Sequence, residues 1–347
     1  MKKVFLGVVG VVLVLAIIAG IVVNTESGQD RLFETAMNAN FSQQFETPEG
    51  LRVVVCGSAS PLGNIIERAQ ACIAVVTKDH LFLFDVGARS PVRIAQARLP
   101  LSRLNGIFLT HYHSDHISGI PDVNLASWVQ GRRESMKVYG PLGIDRVIRG
   151  YNEAFGQDFG YRTAHHGEEM LPPAAGPMTA VEIPMEGVAY EDEDLKITVF
   201  PVEHPPIVPA VGYRIDYKGR SVVISGDSNA SDTLFEYAKD ADLLLHDALS
   251  MTLLAPMIDT TRALNVPVIP TIMEDVTDYH AHADTLYDAA QAAGISLLAY
   301  YHLVPVPPIE MAEEMFLRGL PDDILLVNDL HTFDMLPGTK DIQITEP

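Results

Sequence analysis

The stretch Thr110-His111-Tyr112-His113-Ser114-Asp115-His116-Ile117-Ser118-Gly119 constrains this chain more than any other. Three histidines and one aspartate crowd into six positions, directly after the apolar run Gly106-Ile107-Phe108-Leu109. A buried strand that ends in a ligand-rich turn has this form: the strand fixes the backbone and the turn projects its side chains from the sheet edge. His111 and His113 stand two apart, so in an extended turn both point the same way and share one metal ion. Asp115 and His116 fall on the opposite side and begin a second site. Imidazole with carboxylate suits zinc, with manganese or iron as replacements.

A dinuclear site needs more ligands than one loop gives, and three more loops offer them. His204 follows Phe200-Pro201-Val202-Glu203, and His302 follows Leu298-Ala299-Tyr300-Tyr301. Asp227 follows Val222-Val223-Ile224-Ser225-Gly226, where the glycine lets the backbone turn tightly. Each candidate lies just past an apolar strand-like run.

The segment His111-Tyr112-His113-Ser114-Asp115-His116 resembles the signature of the metallo-β-lactamase superfamily of metallohydrolases. The resemblance implies an α+β chain folded as a four-layer αββα sandwich. It also implies that His111, His113 and His204 hold one divalent ion, and Asp115, His116 and His302 the other, with Asp227 bridging. Between two such ions a water becomes hydroxide near neutral pH and serves as nucleophile. Asp85, in Leu83-Phe84-Asp85-Val86-Gly87, matches a superfamily aspartate that fixes the ligand loop through hydrogen bonds.

Two further stretches are similar to the ribonuclease Z and arylsulfatase-like branch. Leu245-His246-Asp247-Ala248 resembles that branch's histidine–glutamate–alanine motif, with Asp247 in the acidic place. Tyr279-His280-Ala281-His282 resembles the histidine element that follows it, with His282 where a threonine is usual. By this resemblance His280, oriented by Asp247, protonates the leaving group, and Asp115, Asp247 and His280 are the catalytic residues.

The formal charge of −21, from 45 acidic and 24 basic residues, argues against nucleic acid as a partner, because a polyanion needs a basic field. The chain departs here from ribonuclease Z, for which a basic tRNA-binding arm is expected. The expected reaction is hydrolysis of a small phosphodiester, sulfate ester, carboxylic ester or lactone. Ribonuclease Z-type 3′-tRNA processing is the alternative, and a non-catalytic metal-binding protein is a third reading. A homodimer is left open.

Val4 to Val23 is a run of twenty residues without a charged or polar side chain, behind Lys2 and Lys3. Its length and flanking charge predict a membrane anchor over 1–23, with the catalytic domain outside the cytoplasm. Residues 24–50 read as a polar tether and 51–347 as the hydrolase domain. Cys56 and Cys72 each lie in or beside a strand-like run, where a disulfide and two buried thiols are both compatible with the spacing. The Gly- and Pro-rich region 156–194 reads as a loop or insertion.

Overall fold

The computed structural model describes residues 19–43, 45–63 and 65–347. Residues 1–46 and 47–347 form two compact units. In the first, a helix runs over Glu26–Ser42, and the Thr25 side chain accepts the Gly28 N–H at its start.

The second unit carries two sheets. The chain first lays down β1 (Leu51–Gly57), β2 (Cys72–Val76), β3 (Leu81–Phe84), β4 (Gly106–Phe108), β5 (Met136–Gly140) and β6 (Met178–Glu182). It then crosses to β7 (Gly187–Glu191), β8 (Leu195–Pro201), β9 (Val211–Tyr217), β10 (Arg220–Ile224), β11 (Leu243–Leu249), β12 (Leu297–Val304) and β13 (Leu325–Leu326). It returns to the first sheet with β14 (Thr332–Met335) and β15 (Gln343–Thr345). The strand orders are β15-β14-β1-β2-β3-β4-β5-β6 and β13-β12-β11-β10-β9-β8-β7. Alternation along each strand builds the layers. Leu243 and Leu245 of β11, with Val222 and Ile224 of β10, join Val53, Ile73 and Phe84 of the other sheet in the shared core. Leu244 and Val223 point the other way, against Leu234, Leu286 and Phe316 of the outer helices.

One part of the core sets the height of the metal loop. Phe108 stacks on Tyr139 with ring centroids 4.4 Å apart, and on Phe84 at 5.3 Å. Tyr213, from the opposite sheet, packs edge-on to Phe108 and donates its hydroxyl to the Leu109 carbonyl at 2.6 Å. The residue that opens the loop is therefore pinned from across the sandwich.

The region read as an insertion contains regular structure. A helix extends over Ile144–His166, through Gly150, Gly156 and Gly160. Glycine costs helix stability, and here packing outweighs it: Phe159 lies edge-on to the fully buried Trp128. The ion pairs Arg149–Asp145 and Arg162–Asp158 add i,i+4 support on its exposed side. β6 and β7 then carry the chain from one sheet to the other.

Cys56 and Cys72 form a disulfide across β1 and β2. With its ends 16 positions apart in sequence, the bridge should contribute about 3 kcal/mol. Denaturant titration with and without reductant measures it. An unchanged midpoint after complete reduction would remove that contribution.

The expected membrane anchor is corrected. Among the described residues no helix is long and apolar enough to cross a membrane. Most of the Val4–Val23 run lies outside the described residues. The helix that follows carries Glu26, Asp30, Arg31 and Glu34, charges that a hydrocarbon layer excludes. The membrane partner and the location outside the cytoplasm, which rested on that anchor, are withdrawn with it.

Candidate metal centre

The ends of β4, β8, β10 and β12 meet at one edge of the sandwich, and the seven expected ligands meet there. His111, His113, His204 and Asp227 form one group able to hold an ion, and Asp115, His116, Asp227 and His302 a second. In the first group His111 Nε2 lies 2.9 Å from His113 Nδ1, which lies 3.4 Å from His204 Nε2. Nitrogens at 2.0–2.1 Å from one tetrahedral ion stand about 3.3 Å apart, so the donors already have ligand spacing. In the second group Asp227 Oδ2 is 3.3 Å from His116 Nε2, and Asp227 Oδ1 is 3.3 Å from His302 Nδ1. Asp115 Oδ2 is 3.1 Å from His302 Nε2 and 3.4 Å from His116 Nε2.

Three atoms of the second group are buried without a hydrogen-bond partner: His116 Nε2, Asp227 Oδ1 and His302 Nδ1. Each buried orphan costs about 1–3 kcal/mol, and a divalent ion would satisfy them. The residues present fit the metals that the fold implies.

Local structure explains how the donors are aimed. Asp85 adopts φ 56°, a left-handed conformation that aspartate tolerates, and lies beneath the loop. Its carboxylate accepts the Thr110 N–H at 2.9 Å, the Thr110 hydroxyl at 2.8 Å and the His116 Nδ1–H at 2.8 Å. Thr110 Oγ1 in turn accepts the His111 Nδ1–H at 3.0 Å. His204 donates its Nδ1–H to the Tyr279 carbonyl at 3.0 Å. In each case one ring nitrogen is committed and Nε2 is left for metal. Gly226 has φ 65°, and a Cβ there would lie 2.9 Å from Thr110 Cβ, so only glycine lets the Asp227 turn close against the histidine loop. His302 owes its direction to a bulge: Asp247 pairs with Tyr301 and Ala248 with Leu303, which leaves His302 out of the ladder at φ 45°.

Electrostatics follow from burial and neighbours. Burial, reinforced by His116, holds His111 well below the ordinary histidine range, and burial lowers His113 and His204 as well. These three are therefore neutral, as ligands must be. Burial opposes the charge of His116, but Asp227, Asp115 and Asp85 together push it well above its usual value. Burial likewise opposes ionisation of Asp227, and His116 and His302 overcome it.

Beside the metal groups, His280 donates its Nδ1–H to Asp247 Oδ2 at 2.8 Å and stacks on His302 at 5.5 Å. Asp247 is fully buried; burial opposes its charge, while His246 and His280 hold its carboxyl below the usual range. His246 had no role assigned from sequence, and its Nδ1 lies 3.0 Å from Asp247 Oδ1. Above lies a cavity of about 300 Å³. Its walls include Leu62, Ile272, Val276, Tyr279 and Val304, none of them anticipated. They come from separate segments with no shared motif, and only Tyr279, beside His280, lay within a recognised stretch.

Two facing sheets with a histidine–aspartate cluster at their common edge define a metal-dependent hydrolase of ester bonds. Residues 82–303 match the Beta-lactamase superfamily domain. A ribonuclease Z from Mycobacterium sp. (strain KMS) is 31% identical over 297 residues, covering 83% of this chain and 97% of that protein. Among solved structures, the metallo-β-lactamase fold protein YhfI from Bacillus subtilis superposes with a TM-score of 0.58 at 17% identity, covering 81% of this chain and 98% of that one. Human tRNase Z, short form, superposes at 0.55 with 19% identity, again covering 81% and 98%. The chain belongs to the metallo-β-lactamase superfamily, in its ribonuclease Z-like branch. The ribonuclease Z relative overturns two expectations: a small ester as the substrate, and nucleic acid as an unlikely partner.

Proposed function

We propose that this protein is a ribonuclease Z-type endonuclease that hydrolyses an RNA phosphodiester at the 3′ end of a tRNA precursor. The observation that carries the reading is identity of 31% to a ribonuclease Z across nearly that protein's whole length. His111, His113 and His204 would hold one ion, Asp115, His116 and His302 the other, with Asp227 shared. Imidazole and carboxylate donors suit zinc. When bound, the two ions supply Lewis-acid polarisation of the phosphodiester and an acidified water.

The chain's own residues do the rest. Asp85 and Thr110 keep His111 and His116 in the tautomers that ligation needs. His280, with Nδ1–H committed to Asp247, has Nε2 left for the proton that the departing oxygen takes up. Asp247 stays ionised and holds that tautomer and ring orientation. Leu62, Ile272, Val276 and Val304 give the cavity an apolar wall for the substrate to pack against.

Metal-loaded protein given a precursor tRNA with a 3′ extension should release the extension at a single site. Chelation should abolish the reaction, and zinc or manganese should restore it. Background-level cleavage under metal-replete conditions would overturn the reading.

A further inference from the structure

A second cavity, of about 110 Å³, lies where the helices Met251–Ala263 and Ala283–Ala292 both begin. It shares no lining residue with the metal cavity. Ser250, Met251, Thr252, Asp284 and Arg318 contribute to its wall. The helices are 13 and 10 residues long, so each directs the positive end of its dipole and its unpaired first-turn N–H groups at this point. The N–H groups of Met251 and Thr252 find no acceptor among the described residues. Ser250, at the start of the longer helix, is only 5% exposed, yet its hydroxyl bonds to nothing among the described residues and does not cap its helix. That hydroxyl is therefore free to meet a ligand in the cavity that Ser250 lines. The Arg318 guanidinium, on the cavity's outer side, has no ion pair among the described residues.

We infer that this cavity is an anion-binding site for a tetrahedral oxyanion of phosphate size, received by Ser250 Oγ, the first N–H groups of the Met251–Ala263 helix and the Arg318 guanidinium. Two helix starts, an unpartnered hydroxyl and a cation with no ion pair among the described residues line one small space, and a tetrahedral oxyanion can meet all of them at once. Asp284 is the opposing charge, and it sets the affinity low. The inference does not depend on the proposed RNA substrate. The oxyanion is either free inorganic phosphate or a backbone phosphate of bound RNA.

Crystals of the metal-loaded protein soaked in arsenate should show anomalous signal between Ser250 and Arg318, in addition to any at the metal centre. In solution, Arg318→Gln should weaken the second phosphate-binding event by roughly ten- to a hundred-fold. Ser250→Ala should weaken it less, and Asp284→Asn should tighten it, all with metal content unchanged. Because Arg318 and Asp284 are exposed, these two variants test the site without threatening the fold. If RNA is the source, Arg318→Gln also raises KM for the precursor with kcat unchanged; if free phosphate is the source, KM stays put while phosphate binding weakens. Absence of anomalous signal in this cavity, or phosphate binding indifferent to both Arg318→Gln and Asp284→Asn, would overturn the site.

Discussion

Asp227→Ala should lower turnover at least about 10³-fold and leave no more than one tightly bound ion per chain. Asp227 presents Oδ2 to His116 and Oδ1 to His302, and Oδ2 also stands 3.8 Å from His111. It is the one carboxylate common to both donor groups. Without it, His116 and His302 lose the charge that compensates a buried dication, and loss of several kcal/mol of transition-state stabilisation gives the stated factor. Elemental analysis of chelator-free preparations reads the metal count, and steady-state kinetics the rate. Two ions retained by the variant, or wild-type protein that never holds more than one, would end the bridging role.

His280→Ala should separate substrates by leaving group. A nitrophenolate departs without a proton, whereas the alkoxide of an RNA phosphodiester needs one, and general-acid help there is worth about 10²–10⁴-fold. The variant should keep its metals, lose RNA cleavage by that factor and retain most activity on bis-nitrophenyl phosphate used as a probe. Asp247→Asn should give a milder form of the same pattern, since the imidazole remains but its orienting partner no longer carries charge. Metal loss in His280→Ala would make it a ligand or structural residue. Equal damage to both substrates with the metals retained would remove the general-acid role.

Much of the candidate site was legible because ligand chemistry is local. His204 and Asp227 each follow an apolar strand and His302 follows the apolar run that opens β12, and a strand delivers such a residue to the sheet edge. What was not legible depends on pairing between distant segments. The bulge that aims His302 exists only in the register of β12 against β11, and the cysteine bridge only once β1 meets β2 in antiparallel register. The helix through Gly156 and Gly160 is held by Trp128, a contact no local propensity contains. The summed charge misled for a related reason. Asp85, Asp115, Asp227, Asp242, Asp247 and Asp329 are buried, most of them against cationic, imidazole or backbone partners. Three buried arginines, Arg68, Arg132 and Arg220, offset half of them, so what a formal total lacks is where on the surface the remaining charges lie.

The donors are divided between the two sheets: His111, His113, Asp115 and His116 follow β4 of one, while His204 and Asp227 follow β8 and β10 of the other and His302 lies in its β12. On the proposed ligand set, ion binding therefore staples one sheet to the other, and neither half retains a site when they part. Free ion at a hundredfold excess over its dissociation constant would raise the unfolding free energy by about 2.7 kcal/mol. Chelation then acts on this protein as a mild denaturant as well as an inhibitor.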